Sequence, residues 1–344
     1  MSLFNALIRV AAWVTPWAQR RYREFNANRT EAEYHLRTGN FSEAEKSLLV
    51  LYAEAGRRRA LRSRKVEILV QLAEVRRRQN KLAEAEATAA DAMTLGGGKP
   101  HARAMEELSR IYVDQGRFPE ALDLAQRALQ HAETGKPDPL LSAQLTYGMA
   151  TIESHMNDEA NARKHLQEAI QLYELAYGAD HPETANRLSE FAAMLAKEGN
   201  HTDALACIQR AYKIHQRTAG PHSPEAVMDL QGIAETLHEK GDLEQAAEQY
   251  EKVLRFKEKQ VGVKPLDYAK LLLHAADLYL STDNYPRAYE LLHQAVSMLE
   301  RYPEQLAEAS ERLAHVYEVS GRVKDAEKAR KRAHDARVKA LHPA

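Results

Sequence analysis

Apolar residues recur along the chain with the spacing of one face of an α-helix. Leu108 and Tyr112 stand four positions apart, as do Phe191 and Leu195. This period is typical of helices that bury one side, and short turns interrupt it at regular distances. The pattern therefore predicts an all-α chain built from many amphipathic helices of moderate length.

An alanine follows each of the short turns, and these anchor alanines reveal an internal repeat. Consecutive anchors are 36 to 42 residues apart. A period near 40 residues over eight units is typical of arrays of helix pairs. The anchors are Ala44, Ala85, Ala121, Ala162, Ala204, Ala246, Ala288 and Ala326.

Two further columns of small residues share the period of the anchors. The residue twelve positions before each anchor is always alanine or serine, and the residue seven positions after it is alanine in six of eight units. Antiparallel helices approach closely only where bulky side chains are missing, so these columns indicate helix crossings. We expect a solenoid of about eight antiparallel helix pairs over residues 20–340, followed by a tail at 341–344.

The turns inside the repeats carry residues that tolerate a positive φ. Five of the eight have glycine there, and Asn80, Asn157 and Asp283 occupy the other three. Such residues end helices in the left-handed conformation. Between repeats, the segments 180–183 and 223–225 supply a capping residue, then proline, then glutamate, which predicts the start of a new helix.

The segments Tyr177–Ala185 and Gly220–Ala226, together with units of 42 residues, resemble the tetratricopeptide repeat family, and most closely its kinesin light chain-like branch. The resemblance implies a right-handed superhelix that binds extended peptides in a concave groove. That branch typically has paired asparagines in the first helix of a repeat. This chain has Ser189-Glu190, Gln231-Gly232 and Leu273-His274 there, so motor-cargo specificity is not carried over.

The first helix of each repeat lines the groove in this family, so residues eleven and fifteen positions before each anchor approximate the binding surface. Neither column contains Lys or Asn, which argues against a clamp for a terminal carboxylate. The residues near Gly148 and Gly232 are small and weakly charged, which leaves room for a peptide to approach the backbone. The candidate groove residues are Tyr147, Thr151, Ser189, Ala193, Gln231, Glu235, Leu273 and Asp277.

Composition narrows the class of function. The net charge of −1 disfavours a dedicated nucleic-acid binder. We interpret the basic runs at 57–65 and 76–78 as solvated surface, with contacts to acidic partners, anionic lipid or RNA as the alternative. The single cysteine, Cys207, and the scattered histidines do not have the sequence spacing of metal ligands. No group of serine, cysteine or carboxylate residues is recognisable in the sequence as a nucleophilic active site. We therefore expect no catalytic residue, no cofactor and no metal, and predict that the protein is not an enzyme.

Residues 1–19 predict an amphipathic helix, with Leu3 and Leu7 on one side and Asn5 and Arg9 on the other. Such a helix could cover the open end of the solenoid or lie at a membrane surface through residues 1–20. A cleaved signal is disfavoured by Arg9 within the apolar stretch. The chain has no run of 18 apolar residues, so we expect a cytoplasmic protein, with a membrane-peripheral location as the alternative.

These features together predict a scaffold or adaptor that binds a peptide or helical segment of a protein partner in the groove. The first alternative is a membrane-peripheral assembly factor anchored by the N-terminal helix. The second is a regulatory sensor in which a small peptide or metabolite changes the shape of the solenoid.

Overall fold

The structure is a computed structural model that describes residues 28–57, 64–95, 97–134, 137–259 and 264–341. The predicted helix at residues 1–19, on which the membrane alternative depends, lies outside these ranges, as do residues 342–344 of the predicted tail. No helix among the described residues is long and apolar enough to cross a membrane.

Sixteen helices and no strands occur in the described part of the chain, which confirms the all-α fold class. They form eight consecutive pairs, here called repeats one to eight, each with a first and a second helix. The right-handed sense of the superhelix is a prediction that these helix bounds do not test. In chain order the helices are α1 (28–37), α2 (Phe41–Arg57), α3 (Lys65–Arg78), α4 (Leu82–Leu95), α5 (Lys99–Asp114), α6 (Phe118–Glu133), α7 (Pro139–His155), α8 (Glu159–Tyr177), α9 (Pro182–Lys197), α10 (His201–Thr218), α11 (Pro224–Lys240), α12 (Leu243–Lys259), α13 (Pro265–Ser281), α14 (Tyr285–Met298), α15 (Pro303–Val319) and α16 (Val323–Leu341).

The three columns of small residues are buried throughout. Every anchor alanine is at most 1% exposed, and no member of the other two columns exceeds 4%. Larger side chains such as Met105, Tyr250 and Leu292 fill the space between these contact points. The small residues therefore mark the helix crossings, as predicted.

The turns within the repeats have the predicted backbone conformation. All five glycines have positive φ values, as do Asn80, Asn157 and Asp283. In each turn an amide N–H donates to the carbonyl oxygen five residues earlier, for example Arg117 to Tyr112 at 2.8 Å and Asn200 to Leu195 at 2.9 Å. These bonds satisfy carbonyl groups that the end of a helix leaves without a partner.

The described residues fall into two compact units that meet in sequence between Ala176 and Tyr177. Unit 1 contains repeats one to four and has cores around Leu48 and Met105. Unit 2 contains repeats five to eight and has a core to which Tyr250 and Leu272 contribute.

Candidate functional site

A cavity of about 180 Å³ lies beside the first helices of repeats three and four in unit 1. Tyr147 and Thr151, two of the predicted groove residues, line it from α7. Glu106 and Arg110, which occupy the same two columns one repeat earlier, line it from α5. Four residues from the two sequence columns thus line the same cavity in this unit. Its other lining residues are Ser109, Val113, Ala125, Gln144, Leu145, Gly148 and Ile152.

The charges at this cavity are paired with one another. Arg110 Nη2 donates to Glu106 Oε1 at 2.5 Å, and Arg110 Nη1 lies 3.7 Å from Glu107 Oε2. Burial raises the pKa of the Glu106 carboxyl above its ordinary value, although Arg110 and Arg103 act in the opposite direction. The α5 side of the cavity therefore carries a carboxylate and a guanidinium that largely neutralise each other.

The α7 side of the cavity carries no ionisable carboxylate or ammonium. Gln144, Leu145, Tyr147, Gly148, Thr151 and Ile152 form it, and the Thr151 hydroxyl donates to the Tyr147 carbonyl at 3.1 Å. A β-carbon built on Gly148 would meet no atom within 4 Å. The predicted room at this position is therefore present.

The predicted room at Gly232 is absent, which corrects the sequence interpretation. A β-carbon built on Gly232 in α11 would lie only 2.4 Å from Cδ1 of Ile208 in α10. The glycine admits a side chain of the same protein, not a ligand. In sequence the two glycines look alike, because nothing near position 232 identifies the residue that occupies the space.

Predicted groove residues of unit 2 hold the first helices of neighbouring repeats together. Glu235 in α11 accepts a hydrogen bond from Gln231 Nε2 at 2.9 Å and lies 2.9 Å from Nδ1 of His274 in α13. Asp277 in α13 accepts from Nε and Nη2 of Arg312 in α15 at 2.6 and 3.1 Å. The partners His274 and Arg312 lie outside the two columns, so the repeat pattern did not predict them.

Ser189 belongs to a largely buried polar chain that joins α9, α10 and α11. Its hydroxyl donates to Asp229 Oδ1 at 2.6 Å, and Asp229 Oδ2 lies 2.6 Å from His215 Nδ1. Burial raises the pKa of the Asp229 carboxyl, while the hydrogen bonds from Ser189 and His215 lower it. The aspartate stands between the serine and the histidine, so the histidine does not contact the hydroxyl as it does in a nucleophilic triad.

Ala193 and Leu273 complete the predicted set and differ in exposure. Ala193 is exposed on α9. Leu273 is 4% exposed and lies in the core of unit 2, so the prediction that it lines the groove is wrong. The reason is that α13 is apolar around most of its circumference, with Leu271, Leu272 and Leu273 all buried in succession.

The basic run at 76–78 is not simply solvated, contrary to the sequence interpretation. Arg76 Nε donates to Glu45 at 3.0 Å, and Arg77 Nε donates to Glu107 at 2.7 Å. Both arginine side chains are at most 20% exposed. Residues 58–63 of the other run lie outside the described residues. Among those described, no group of three or more histidine, cysteine, aspartate or glutamate residues could hold a metal ion.

Comparison with known families finds the tetratricopeptide repeat. One model of that description matches residues 65–134 and 187–259, and a second matches residues 147–183. Together they cover just over half of the chain. A curated relative, Protein KINESIN LIGHT CHAIN-RELATED 1 of Arabidopsis thaliana, is 27% identical in an alignment of 249 residues that covers 69% of this chain and 39% of that protein. The chain thus spans about two fifths of that relative's length.

Solved structures share the fold. The apo form of RapI has a TM-score of 0.67 at 11% identity and covers 93% of this chain and 99% of its own. A signal transduction ATPase with a tetratricopeptide repeat sensor from Pyrococcus horikoshii has a TM-score of 0.69 at 13% identity, over 92% of this chain and 54% of its own. The repeats of a putative kinesin light chain from Podosopora anserina score 0.50 at 18% identity, over 58% of this chain and 95% of theirs.

Proposed function

Because the chain belongs to the tetratricopeptide repeat family, we propose that it is a scaffold or adaptor that binds a segment of a protein partner on the first helices of its repeats. Proteins of this family generally mediate protein–protein interactions. The observation that carries the proposal is the cavity in unit 1. Glu106, Arg110, Tyr147 and Thr151, all from the two columns that approximate the binding surface, line it together.

The arrangement of polar groups supports binding rather than chemistry at these helices. Glu235 and Asp277 are engaged in hydrogen bonds between neighbouring repeats, which fix the positions of the first helices before any partner arrives. A surface that is already ordered loses little conformational entropy on binding. Exposed positions such as Ala193 then supply the contact area without further rearrangement.

The test is affinity capture from the native source with the intact chain and three variants. Thr151→Arg places a long charged side chain at the cavity, and Ala193→Arg does so on the exposed face of α9. Ala160→Arg is the matched control, since Ala160 is an exposed alanine on a second helix, α8. Thermal melting of each variant establishes that it is folded.

We expect proteins that the intact chain and the Ala160→Arg control both retain and that Thr151→Arg or Ala193→Arg loses. A loss in Thr151→Arg would identify a binding surface on unit 1, and a loss in Ala193→Arg would identify one on unit 2. If all four chains retain the same proteins, the first helices are not the binding surface and the proposal fails.

A further inference from the structure

Three glycines lie inside described helices, and they differ in what surrounds them. A β-carbon on Gly56 in α2 would make an ordinary contact of 3.5 Å with the Lys65 ammonium. A β-carbon on Gly232 would collide with Ile208. A β-carbon on Gly148, in the middle of α7, would meet nothing within 4 Å.

Glycine in a helix interior is unfavourable by about 1 kcal/mol relative to alanine, so its presence calls for a compensating role. Packing against Ile208 supplies that role at Gly232. No atom of the described chain supplies it at Gly148, whose bare backbone lines the cavity beside α5 and α7. The space above Gly148 therefore suits an occupant that comes from another molecule and lies close to the helix backbone.

The walls of the cavity define the chemistry of this occupant. Val113, Ala125, Leu145 and Ile152 contribute apolar surface, and the nearest charges, on Glu106 and Arg110, are already paired. A charged side chain entering the cavity would lose its hydration without finding a free partner, which is costly. An uncharged, apolar side chain meets no such penalty.

The size of the cavity fits one large apolar side chain. Its volume is about 180 Å³. An apolar cavity of about 150 Å³ in a protein interior admits a benzene molecule, so a ring or a branched aliphatic group fits here. Gln144 also lines the cavity and supplies an amide group that can donate to and accept from a peptide group.

We propose that this cavity is the anchor pocket for one leucine- or phenylalanine-sized side chain of an extended partner segment, whose backbone crosses α7 at Gly148. The inference rests on the proposed function and makes it specific. The affinity of the site then comes from an uncharged side chain of the partner. Gly148 lets the partner backbone come close to the backbone of α7.

The experiment uses N-acetyl amino acid methylamides as ligand analogues and NMR spectra of the full chain with labelled methyl groups. The analogues carry phenylalanine, leucine, alanine, lysine or glutamate. We expect the phenylalanine and leucine analogues to shift the methyl signals of Val113, Leu145 and Ile152, with dissociation constants on the order of 1 mM because one side chain supplies the contact. The alanine, lysine and glutamate analogues should bind with dissociation constants at least about tenfold higher.

Gly148→Ala is the decisive variant, because a merely structural glycine and a ligand-binding one predict opposite results. We expect it to raise the melting temperature, since alanine favours the helix, and to weaken binding of the phenylalanine analogue about tenfold or more. Gly56→Ala is the matched control, a glycine-to-alanine change in another helix of the same unit, and should leave binding unchanged.

Unchanged binding in Gly148→Ala, or equal binding of the apolar and charged analogues, would overturn the inference. Its failure can be told apart from that of the proposed function. If partner capture is lost in Thr151→Arg but kept in Gly148→Ala, the scaffold function stands and the anchor pocket does not. If capture survives in Thr151→Arg, Ala193→Arg and Gly148→Ala alike, both proposals fall.

Discussion

Ile208 Cδ1 occupies the space that a β-carbon at Gly232 would need, since the two positions would be only 2.4 Å apart. Ile208 lies on the second helix of repeat five and Gly232 on the first helix of repeat six. Ile208 is 7% exposed and belongs to the core of unit 2. The missing side chain on one helix thus admits the end of a branched side chain on the other and joins two repeats.

This packing predicts the effect of Gly232→Ala. The new methyl group displaces Cδ1 of a core isoleucine, which costs about 2 kcal/mol and outweighs the roughly 1 kcal/mol that alanine contributes to a helix. The free energy of unfolding, measured with urea, should therefore fall by about 1 kcal/mol.

A second substitution tests whether this contact is the cause. Ile208→Val removes Cδ1 and should by itself cost about 1 kcal/mol. In the double variant the valine makes room for the alanine, so Gly232→Ala/Ile208→Val should be more stable than the sum of the two single effects allows. Strict additivity would show that the two residues do not compete for this space.

The buried chain from Ser189 through Asp229 to His215 predicts a large effect for one carboxylate. Asp229 is 3% exposed, and Asp229→Ala removes the carboxylate that lies 2.6 Å from the part-buried Ser189 hydroxyl and 2.6 Å from the buried His215 ring. Removing one partner of a buried pair costs about 3 kcal/mol. Chemical denaturation of the intact chain and the variant measures the difference.

Asp180→Ala provides the matched comparison for Asp229→Ala. Asp180 pairs with Arg217 at 2.9 Å, but both side chains are at least 60% exposed. An exposed pair contributes less than about 1 kcal/mol. Equal losses in the two alanine variants would contradict the structural role assigned to the buried chain.

The pair of Glu235 and His274 predicts a pH-dependent stability. The hydrogen bond to Glu235 raises the pKa of His274 above its ordinary value of 6.5, against the effect of burial. Burial raises the pKa of Glu235, but the hydrogen bonds from His274 and Gln231 outweigh it and hold the pKa below 4.5. The histidine contribution is complete below pH 6.5 and is lost as the pH rises through the raised value, whereas the glutamate contribution is complete above pH 4.5.

Both contributions are therefore complete between pH 4.5 and 6.5. We expect the melting temperature of the intact chain to exceed that of Glu235→Gln most at about pH 5.5 and less at about pH 8. Glu248→Gln removes an exposed pair with Lys252 that contains no histidine, so its effect should be the same at both pH values. A Glu235→Gln effect that grows toward pH 8 would contradict the assigned direction.

The fold could be predicted from the sequence because its determinants are local. An anchor such as Ala204 is small because two helices cross there, and Asn157 is tolerated because its turn needs a positive φ. Each requirement acts at the residue itself and recurs in every repeat. A single sequence with eight copies of the same constraint therefore displays it eight times.

The site was harder to predict because its polar contacts join side chains from different repeats. Ser189 and Asp229 are 40 positions apart, and Glu235 and His274 are 39 apart. Which side chain reaches which depends on the rotation of each first helix, and the columns do not encode that rotation. For the same reason Leu273 was placed in the groove although its helix turns it into the core.

The turn at Gly199 allows the requirement for a positive φ to be separated from packing. Its φ is 81°, and a β-carbon there would meet nothing within 4 Å, so any cost of a side chain comes from the backbone alone. Gly199→Ala should lower the free energy of unfolding by about 1 to 2 kcal/mol, the penalty of the left-handed conformation for an L-residue. Gly199→Asn should cost less, because asparagine takes the same conformation in this chain at Asn157, with a φ of 59°. Gly97→Ala is the control, since Gly97 has the same open surroundings without a positive φ and should tolerate alanine. Equal losses for alanine at positions 97 and 199, measured by urea unfolding, would exclude backbone conformation as the reason for glycine in these turns.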